Sequence, residues 1–263
     1  MLPEPAQQWS LGSPLKAYLI NLDRSVDRLA HMQGEFARAR LAFERIAAVD
    51  GAALHAKELE EFRETRSAAN PNEWLPGEVG CFLSHFEAWK RIAANSDHWG
   101  AVFEDDIRVS PDLGPLLAST NWIPAGADIA RLEAYGSMRL SHGRAIAATP
   151  GRKLYRARSG TGGSAGYIVA REACLWLIET PPQLHTSLDV FLFKPRMSQV
   201  ARKLRRYQIV PALCVQEEVL EGEDGSLKSL IKTRNTRGRG YRTQLNPILR
   251  LWPIMRHAVP FRP

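Results

Sequence analysis

Apolar residues in this chain form short continuous runs that alternate with segments in which apolar positions recur every three or four residues. A short run bounded by polar or turn residues predicts a buried strand, whereas the longer spacing predicts a helix with one buried face. The runs that predict strands are residues 17–22, 43–49, 100–103, 107–109, 128–132, 155–158, 166–170 and 207–215. Because helical segments separate several of these runs, the order of elements predicts a layered α/β architecture.

The strongest helical pattern covers residues 78–94. Its apolar side chains fall on one stripe, and the proline-glycine pair just before it is a typical start signal. Weaker helical patterns follow Ser25 and cover residues 172–179. Residues 52–76 are polar and helix-prone, and we expect them to form an excursion from the core.

The chain has 263 residues, of which 44% are hydrophobic, an ordinary value for a globular protein with its own core. This composition excludes disordered, collagen-like and disulfide-stapled proteins. No internal repeat and no strong change in composition divides the chain before its C-terminal part. We therefore expect an N-terminal tail at residues 1–14, one α/β domain at 15–224 and a basic extension at 225–263.

Positive charge is concentrated in that C-terminal extension. The formal net charge is +7, and the residues after Asp224 contribute nine cations and no acids, so 7 − 9 leaves −2 for the rest. An arginine-rich segment interleaved with Tyr241 and Trp252 is suited to nucleic acid, anionic lipid head groups or a phosphorylated substrate. The alternative is a solvated segment with no partner. A basic extension alone does not indicate a nucleic-acid-binding protein.

Cysteine usage and hydropathy indicate the compartment. Cys81, Cys174 and Cys214 are far apart and odd in number, so we expect reduced thiols and a cytoplasmic protein. Residues 1–14 show no cationic stretch followed by an apolar one, and no run of 18 apolar residues occurs. The sequence therefore predicts neither export nor a membrane-spanning segment, and any membrane contact would be peripheral.

Three consecutive acids, Glu104, Asp105 and Asp106, interrupt an otherwise apolar run. In an extended chain Glu104 and Asp106 would project to one face and Asp105 to the other. Carboxylates beside apolar neighbours need a bound cation, a cationic partner or a shared proton. Oxygen ligands suit Mg²⁺ or Mn²⁺, which also accept phosphate oxygens, so the pattern favours a metal site for a nucleotide diphosphate. The alternative is that the acids pair with arginines or cap a turn.

Four blocks of the chain, in this order, resemble glycosyltransferase family 25. The blocks are LINLDR at 19–24, FERIAAVDG at 43–51, PGEVGCFLSH at 76–85 and FEDD at 103–106. That family includes bacterial lipooligosaccharide galactosyl- and glucosyltransferases and the collagen galactosyltransferases. The resemblance implies a GT-A-like nucleotide-sugar-binding fold with a mixed, mostly parallel central sheet flanked by helices. It also implies a UDP-sugar donor, a divalent metal at the acidic triplet and inversion at the anomeric carbon.

The resemblance also assigns site residues. Asp106 and Glu104 are the expected metal ligands. His85 of the Ser84-His85 pair and Asp189 of a later acidic block are the catalytic candidates, with Asp189 as the base; a buried, hydrogen-bonded histidine and a surface aspartate are the alternatives. The residues expected to contact the donor are Asn21, Asp23, Arg24, Ala48, Val49, Asp50, Asp105, Gly162 and Gly163. For Asp23 the alternative is a helix cap, and for Arg24 a solvated charge.

The sequence thus predicts an inverting, metal-dependent transferase that moves galactose or glucose from UDP to a glycan such as lipooligosaccharide. Such acceptors are anionic and lie on the inner leaflet, so arginines of the extension would hold the protein at that surface. A nucleic-acid partner is not expected. The alternatives are a non-catalytic nucleotide- or anion-binding protein that uses the basic extension, and a family member that has lost activity.

Overall fold

A computed structural model of the chain describes residues 15–64, 75–134, 139–149, 151–158, 162–180, 187–221 and 256–262. The helices in chain order are α1 (Val26–Arg38), α2 (Ala56–Glu64), α3 (Pro76–Ala94), α4 (Leu113–Leu117), α5 (Arg171–Glu179), α6 (Leu188–Phe193), α7 (Gln199–Lys203) and α8 (Glu217–Glu221), with a 3-10 turn at Gly51–Ala53. The strands are β1 (Lys16–Asn21), β2 (Phe43–Ala47), β3 (Trp99–Phe103), β4 (Ile107–Val109), β5 (Ile129–Arg131), β6 (Glu133–Ala134), β7 (Arg139–Thr149), β8 (Arg152–Ala157), β9 (Gly166–Ala170), β10 (Arg206–Val210), β11 (Cys214–Gln216) and β12 (Arg256–Ala258).

The central sheet has the order β12-β7-β8-β10-β5-β9-β3-β1-β2, and β4, β11 and β6 form a smaller sheet. The mixed α/β architecture is confirmed. Parallel pairing in the large sheet joins β1 to β2 and β3, and β5 to β10, whereas the other neighbouring pairs are antiparallel. The expectation of a mostly parallel sheet is therefore wrong for the β7–β8–β10 half. Only two residues separate β7 from β8, and so short a connection permits only antiparallel pairing.

Strand β1 is buried from both faces of the large sheet. Tyr18 belongs to the apolar cluster that contains Trp89 of α3, whereas Leu19 belongs to the cluster that contains Phe36 of α1. Because successive side chains of a strand point to opposite faces, helices cover both sides of the sheet. This is why the first strand reads as a continuous apolar run and ends in a polar loop at one exposed edge.

The predicted strand at 207–215 is two strands. Strand β10 ends at Val210 and belongs to the large sheet, whereas β11 begins at Cys214 and belongs to the small one. Pro211 lies between them, and proline interrupts a strand because it has no N–H to donate. The pattern also missed β7, β12 and the short helices α4, α6 and α7, which have too few turns to show helical spacing.

Part of the predicted C-terminal extension belongs to the folded domain. Strand β12 pairs antiparallel with β7, and Val259 is buried in a cluster with Ala212 and Val215. The N–H of Ala212 donates to the carbonyl of Pro260. Residues 1–14 and 222–255 lie outside the described residues, so the tail and most of the basic extension stay predictions.

Among the helices that the structure describes, none is both long enough and apolar enough to cross a membrane.

Candidate active site

A cavity of about 190 Å³ opens where β1, β2 and β3 end. These three strands are parallel neighbours, so their carboxyl ends meet at one edge of the sheet, which is where open α/β sheets bind ligands. The structure brings together at this cavity nine of the predicted site residues: Asn21, Arg24, Ala48, Val49, Asp50, His85, Glu104, Asp105 and Asp106. Arg28, Cys81 and Ser84 also line it, although the sequence assigned them no binding role.

The acidic triplet lies in a bend between β3 and β4, which belong to different sheets. The expectation that Asp105 points away from Glu104 and Asp106 is therefore wrong, because the alternation of an extended strand does not apply there. All three side chains line the cavity. What distinguishes them is the partner that each one has.

Asp105 is fully engaged by the protein. Its Oδ1 accepts from Arg28 Nη1 at 2.8 Å and its Oδ2 accepts from Asn21 Nδ2 at 2.7 Å. Asn21 Oδ1 in turn accepts from Arg45 Nε at 2.9 Å. The predicted alternative, in which an acid of the triplet pairs with an arginine, therefore holds for Asp105.

Asp106 is buried and only weakly paired. Its Oδ2 lies 3.8 Å from Arg28 Nη1, and within the described part of the chain Oδ1 has no hydrogen-bond partner. Burial, followed by the charge of Glu104, raises the pKa of Asp106 to about 7. An unpartnered carboxylate oxygen that lines a cavity is suited to a cation.

Glu104 is held by two neighbours that share one of its oxygens. Ser164 Oγ donates to Oε1 at 3.0 Å, and His85 Nε2 lies 3.3 Å from the same atom. The ligand atoms of Cys81, His85 and Glu104 all lie within 4.8 Å of one another, a group of three that could hold a metal ion. Burial and the neighbouring carboxylates raise the pKa of Cys81 well above its ordinary value, so this thiol is neutral.

The loop after β2 and the first turns of α3 form the opposite wall. Ser84 Oγ accepts from the N–H of Val49 at 2.9 Å and donates to the carbonyl of Gly80 at 2.6 Å. A Cβ on Gly80 would lie 2.5 Å from the carbonyl oxygen of Val49, so only glycine permits this approach. Arg24 forms an ion pair with Asp50 between the loops that follow β1 and β2.

The segment at Gly162 and Gly163 does not line the cavity but supports it through the adjoining Ser164. Arg131 Nη1 donates to the carbonyls of Gly162 and Gly163. Gly163 has a φ of +88°, and a Cβ there would lie 2.6 Å from the Glu133 carboxylate. Burial raises the pKa of Glu133 to about 8 and lowers that of Arg131 to about 10. Neither residue was singled out from the sequence, since nothing in local spacing marks a buried pair.

Two other predicted residues lie away from the cavity lining. Asp23 is 80% exposed and pairs with Arg45. Asp189, in the first turn of α6, accepts from the Ser187 hydroxyl, and its Oδ2 lies 3.5 Å from Lys194 Nζ. Its assignment as the base stays a prediction.

Comparison with known proteins gives the family. The profile of glycosyltransferase family 25 (LPS biosynthesis protein) matches residues 15–192. The chain is 26% identical over 267 residues to the lipooligosaccharide biosynthesis protein lic2B of Haemophilus influenzae, a match that covers 93% of this chain and 98% of that protein. It is 27% identical to the lacto-N-neotetraose biosynthesis glycosyltransferase LgtB of Neisseria meningitidis serogroup B, over 83% of this chain and 82% of that one.

Among solved structures, the chain is similar to a glycosyltransferase involved in the glycosylation of the major capsid of PBCV-1. The TM-score is 0.38 and the sequence identity 12%, over 77% of this chain and 92% of that chain.

Proposed function

This chain belongs to glycosyltransferase family 25, and on that premise we propose that it transfers a hexose, galactose or glucose, from a UDP-sugar to a glycan acceptor of the lipooligosaccharide type. The matched relatives are named for lipooligosaccharide and lacto-N-neotetraose biosynthesis over most of their length. These names support the acceptor class. The choice of sugar depends on a few contacts to one hydroxyl group.

The observation that carries this proposal is the position of the acidic triplet. The bend that contains Asp106 and the loop that contains Asp50 line the same cavity, although more than fifty residues separate them. A uridine against the wall formed by Val49 and Ser84 would direct its diphosphate toward Asp106. Arg24, which is half exposed, is placed to leave Asp50 and pair with a phosphate.

The residues of this cavity fit a divalent cation. Asp106 offers the unpartnered Oδ1, and both described contacts of Glu104 use Oε1, so its Oε2 is the oxygen available for a ligand. A carboxylate donor set suits Mn²⁺ or Mg²⁺. A bound cation would supply Lewis-acid stabilisation of the departing UDP.

The remaining chemistry belongs to the chain. An inverting transfer needs an acceptor hydroxyl aligned with the anomeric carbon and a base that takes its proton. We assign the base to Asp189, whose carboxylate Ser187 and Lys194 hold in place. An Asp189→Asn variant should lose turnover and keep the affinity for UDP. Loss of UDP affinity in that variant would assign Asp189 to the donor site instead.

Thermal unfolding tests donor and metal binding together. UDP with Mn²⁺ should raise the melting temperature, because a ligand that binds only the native state stabilises it. Asp106→Asn should abolish the part of the rise that needs Mn²⁺. Glu172→Gln is the matched control, because Glu172 is an acid with a 78% exposed side chain on α5 and should leave the rise unchanged.

Activity is tested by UDP release from a panel of sugar nucleotides, with and without EDTA. Release from UDP-galactose or UDP-glucose that EDTA stops is the expected result. Binding of UDP without release from any donor would favour the non-catalytic alternative. Absence of both binding and release would contradict the proposed function.

We also propose that the basic extension holds the protein at an anionic membrane surface close to the acceptor. Its charges support this, although Arg234, Arg237, Arg239 and Arg242 lie outside the described residues. Since β12 packs on the sheet, the four arginines should be changed to glutamine rather than removed by truncation. The variant should lose salt-sensitive co-sedimentation with vesicles that contain anionic lipid. Binding that is unaffected by salt or by the substitutions would contradict this proposal.

A further inference from the structure

Three buried side chains connect the core to Glu104. Trp89 Nε1 lies 2.9 Å from the Tyr167 hydroxyl, that hydroxyl lies 2.8 Å from His85 Nδ1, and His85 Nε2 lies 3.3 Å from Glu104 Oε1. Trp89, Tyr167 and His85 are all fully buried. The chain therefore ends at a carboxylate that lines the cavity.

The direction of each hydrogen bond follows from the chemistry of the groups. An indole N–H can only donate, so the Tyr167 oxygen accepts from Trp89. The hydroxyl proton of Tyr167 then needs an acceptor, since an unsatisfied buried donor is costly. His85 Nδ1 is an acceptor at 2.8 Å. Burial also raises the pKa of Tyr167 well above its ordinary value, so the hydroxyl keeps its proton.

We propose that Trp89 and Tyr167 fix His85 in the tautomer that carries its proton on Nε2, so that His85 donates a hydrogen bond to Glu104. His85 is then a positioning residue for Glu104. Together with Ser164, it supplies two donors to the same oxygen of Glu104. This leaves the other carboxylate oxygen in a defined position toward the cavity.

This tautomer decides between two uses of the Cys81, His85 and Glu104 group. A metal ion can bind only a ring nitrogen that carries no proton. If Nε2 bound a cation, Nδ1 would carry the proton and donate to Tyr167, whose oxygen would then receive two donors. The hydroxyl proton would lose its acceptor at His85. The hydrogen-bond chain therefore favours His85 as a donor over His85 as a metal ligand.

The tautomer itself does not depend on the proposed function, but the role of Glu104 as a metal ligand does. Nitrogen-15 NMR of the full-length protein tests the first point. The His85 signals are assigned by their loss in His85→Gln. We expect a protonated Nε2 and an unprotonated Nδ1, and Tyr167→Phe should disturb this pattern because the donor to Nδ1 is gone. A proton on Nδ1 in the wild type would overturn the proposal.

Mn²⁺ affinity in the presence of UDP tests the second point. His85→Leu should weaken Mn²⁺ binding about tenfold, the scale on which outer hydrogen bonds affect metal sites. His85→Gln, whose amide can still donate, should recover most of the affinity, and UDP affinity without metal should stay unchanged in both. His98→Leu, at an exposed histidine, is the control. Equal Mn²⁺ affinity in His85→Leu and the wild type would remove the positioning role.

Cobalt binding provides an independent check. A thiolate-to-cobalt absorption band that disappears in both Cys81→Ser and His85→Gln would show that these residues bind the cation, and would overturn the proposal. Absence of that band supports it. If Mn²⁺ does not bind at all while the Nε2 proton is observed, the metal part of the proposed function fails and the tautomer assignment stands.

Discussion

Arg28 Nη1 lies 2.8 Å from Asp105 Oδ1, in an ion pair whose two side chains are each only 11% exposed. The pair joins helix α1 to the bend between β3 and β4. It also divides the acidic triplet, because Asp105 is committed to Arg28 and Asn21 whereas Asp106 keeps an oxygen that no described residue occupies. The site is thus divided between an acid that holds the structure together and an acid that is free to bind a ligand.

Removal of Arg28 should destabilise the protein strongly. Arg28→Ala leaves the Asp105 charge buried without its cation, which costs about 3–5 kcal/mol in other buried pairs. Urea unfolding at neutral pH measures the difference. The control is Lys90→Ala, which removes a half-exposed lysine 3.6 Å from Glu87 and should cost less than about 1 kcal/mol. Equal losses in the two variants would show that the buried pair contributes nothing special.

Gly163 should not tolerate a side chain. In Gly163→Ala the new Cβ would lie 2.6 Å from the Glu133 carboxylate, at a φ of +88° that disfavours any residue but glycine. We expect a loss of about 1–3 kcal/mol in the free energy of unfolding. Gly34→Ala is the matched control, since no heavy atom outside the local chain lies within 4 Å of its Cβ position. Gly34 lies inside α1, so alanine should stabilise there. A Gly163→Ala protein as stable as the wild type would show that the loop can move.

Glu133 should make stability depend on pH. Its pKa is raised from 4.5 to about 8 in the folded protein, mainly by burial. The stabilising contribution is complete below the unfolded value and is lost as the pH rises to about 8, because the folded state keeps a proton that the unfolded state releases. The slope is about 1.4 kcal/mol per pH unit.

Glu133→Gln mimics the protonated carboxyl and should lack this slope. Urea unfolding of both proteins between about pH 5 and pH 8 measures the difference, which should shift in favour of the variant as the pH rises. Parallel pH curves for wild type and variant would contradict the raised pKa. Glu172→Gln, at an exposed acid, should follow the wild type.

Cys81 should report on the position of the nucleotide. It is partly exposed and lines the cavity, whereas Cys174 and Cys214 are buried. In the native protein a maleimide should label Cys81 first, and slowly, because the pKa of this thiol is raised and only the thiolate reacts. UDP should slow the labelling further by covering the thiol.

Mass spectrometry of the labelled protein measures this rate. Cys81→Ser should lose the native label, and unfolded protein should react at all three cysteines. A labelling rate that saturating UDP leaves unchanged would place the nucleotide outside this cavity.

The local sequence was sufficient to find the edge of the sheet at which the site lies. The first strand and helix α3 have continuous apolar patterns that need no distant partner to be recognised. Polar residues directly after the parallel strands must meet at one edge, because the carboxyl ends of those strands coincide. Asn21, Asp50 and Glu104 were therefore placed together correctly before any contact was known.

What only the tertiary structure decided is which partner each side chain has. Arg28 meets Asp105 across 77 residues and His85 meets Tyr167 across 82 residues. Spacing along a chain predicts which face a side chain occupies, but it does not predict a partner contributed by another element. The pKa of Glu133 depends on burial, which exists only once the strands have packed.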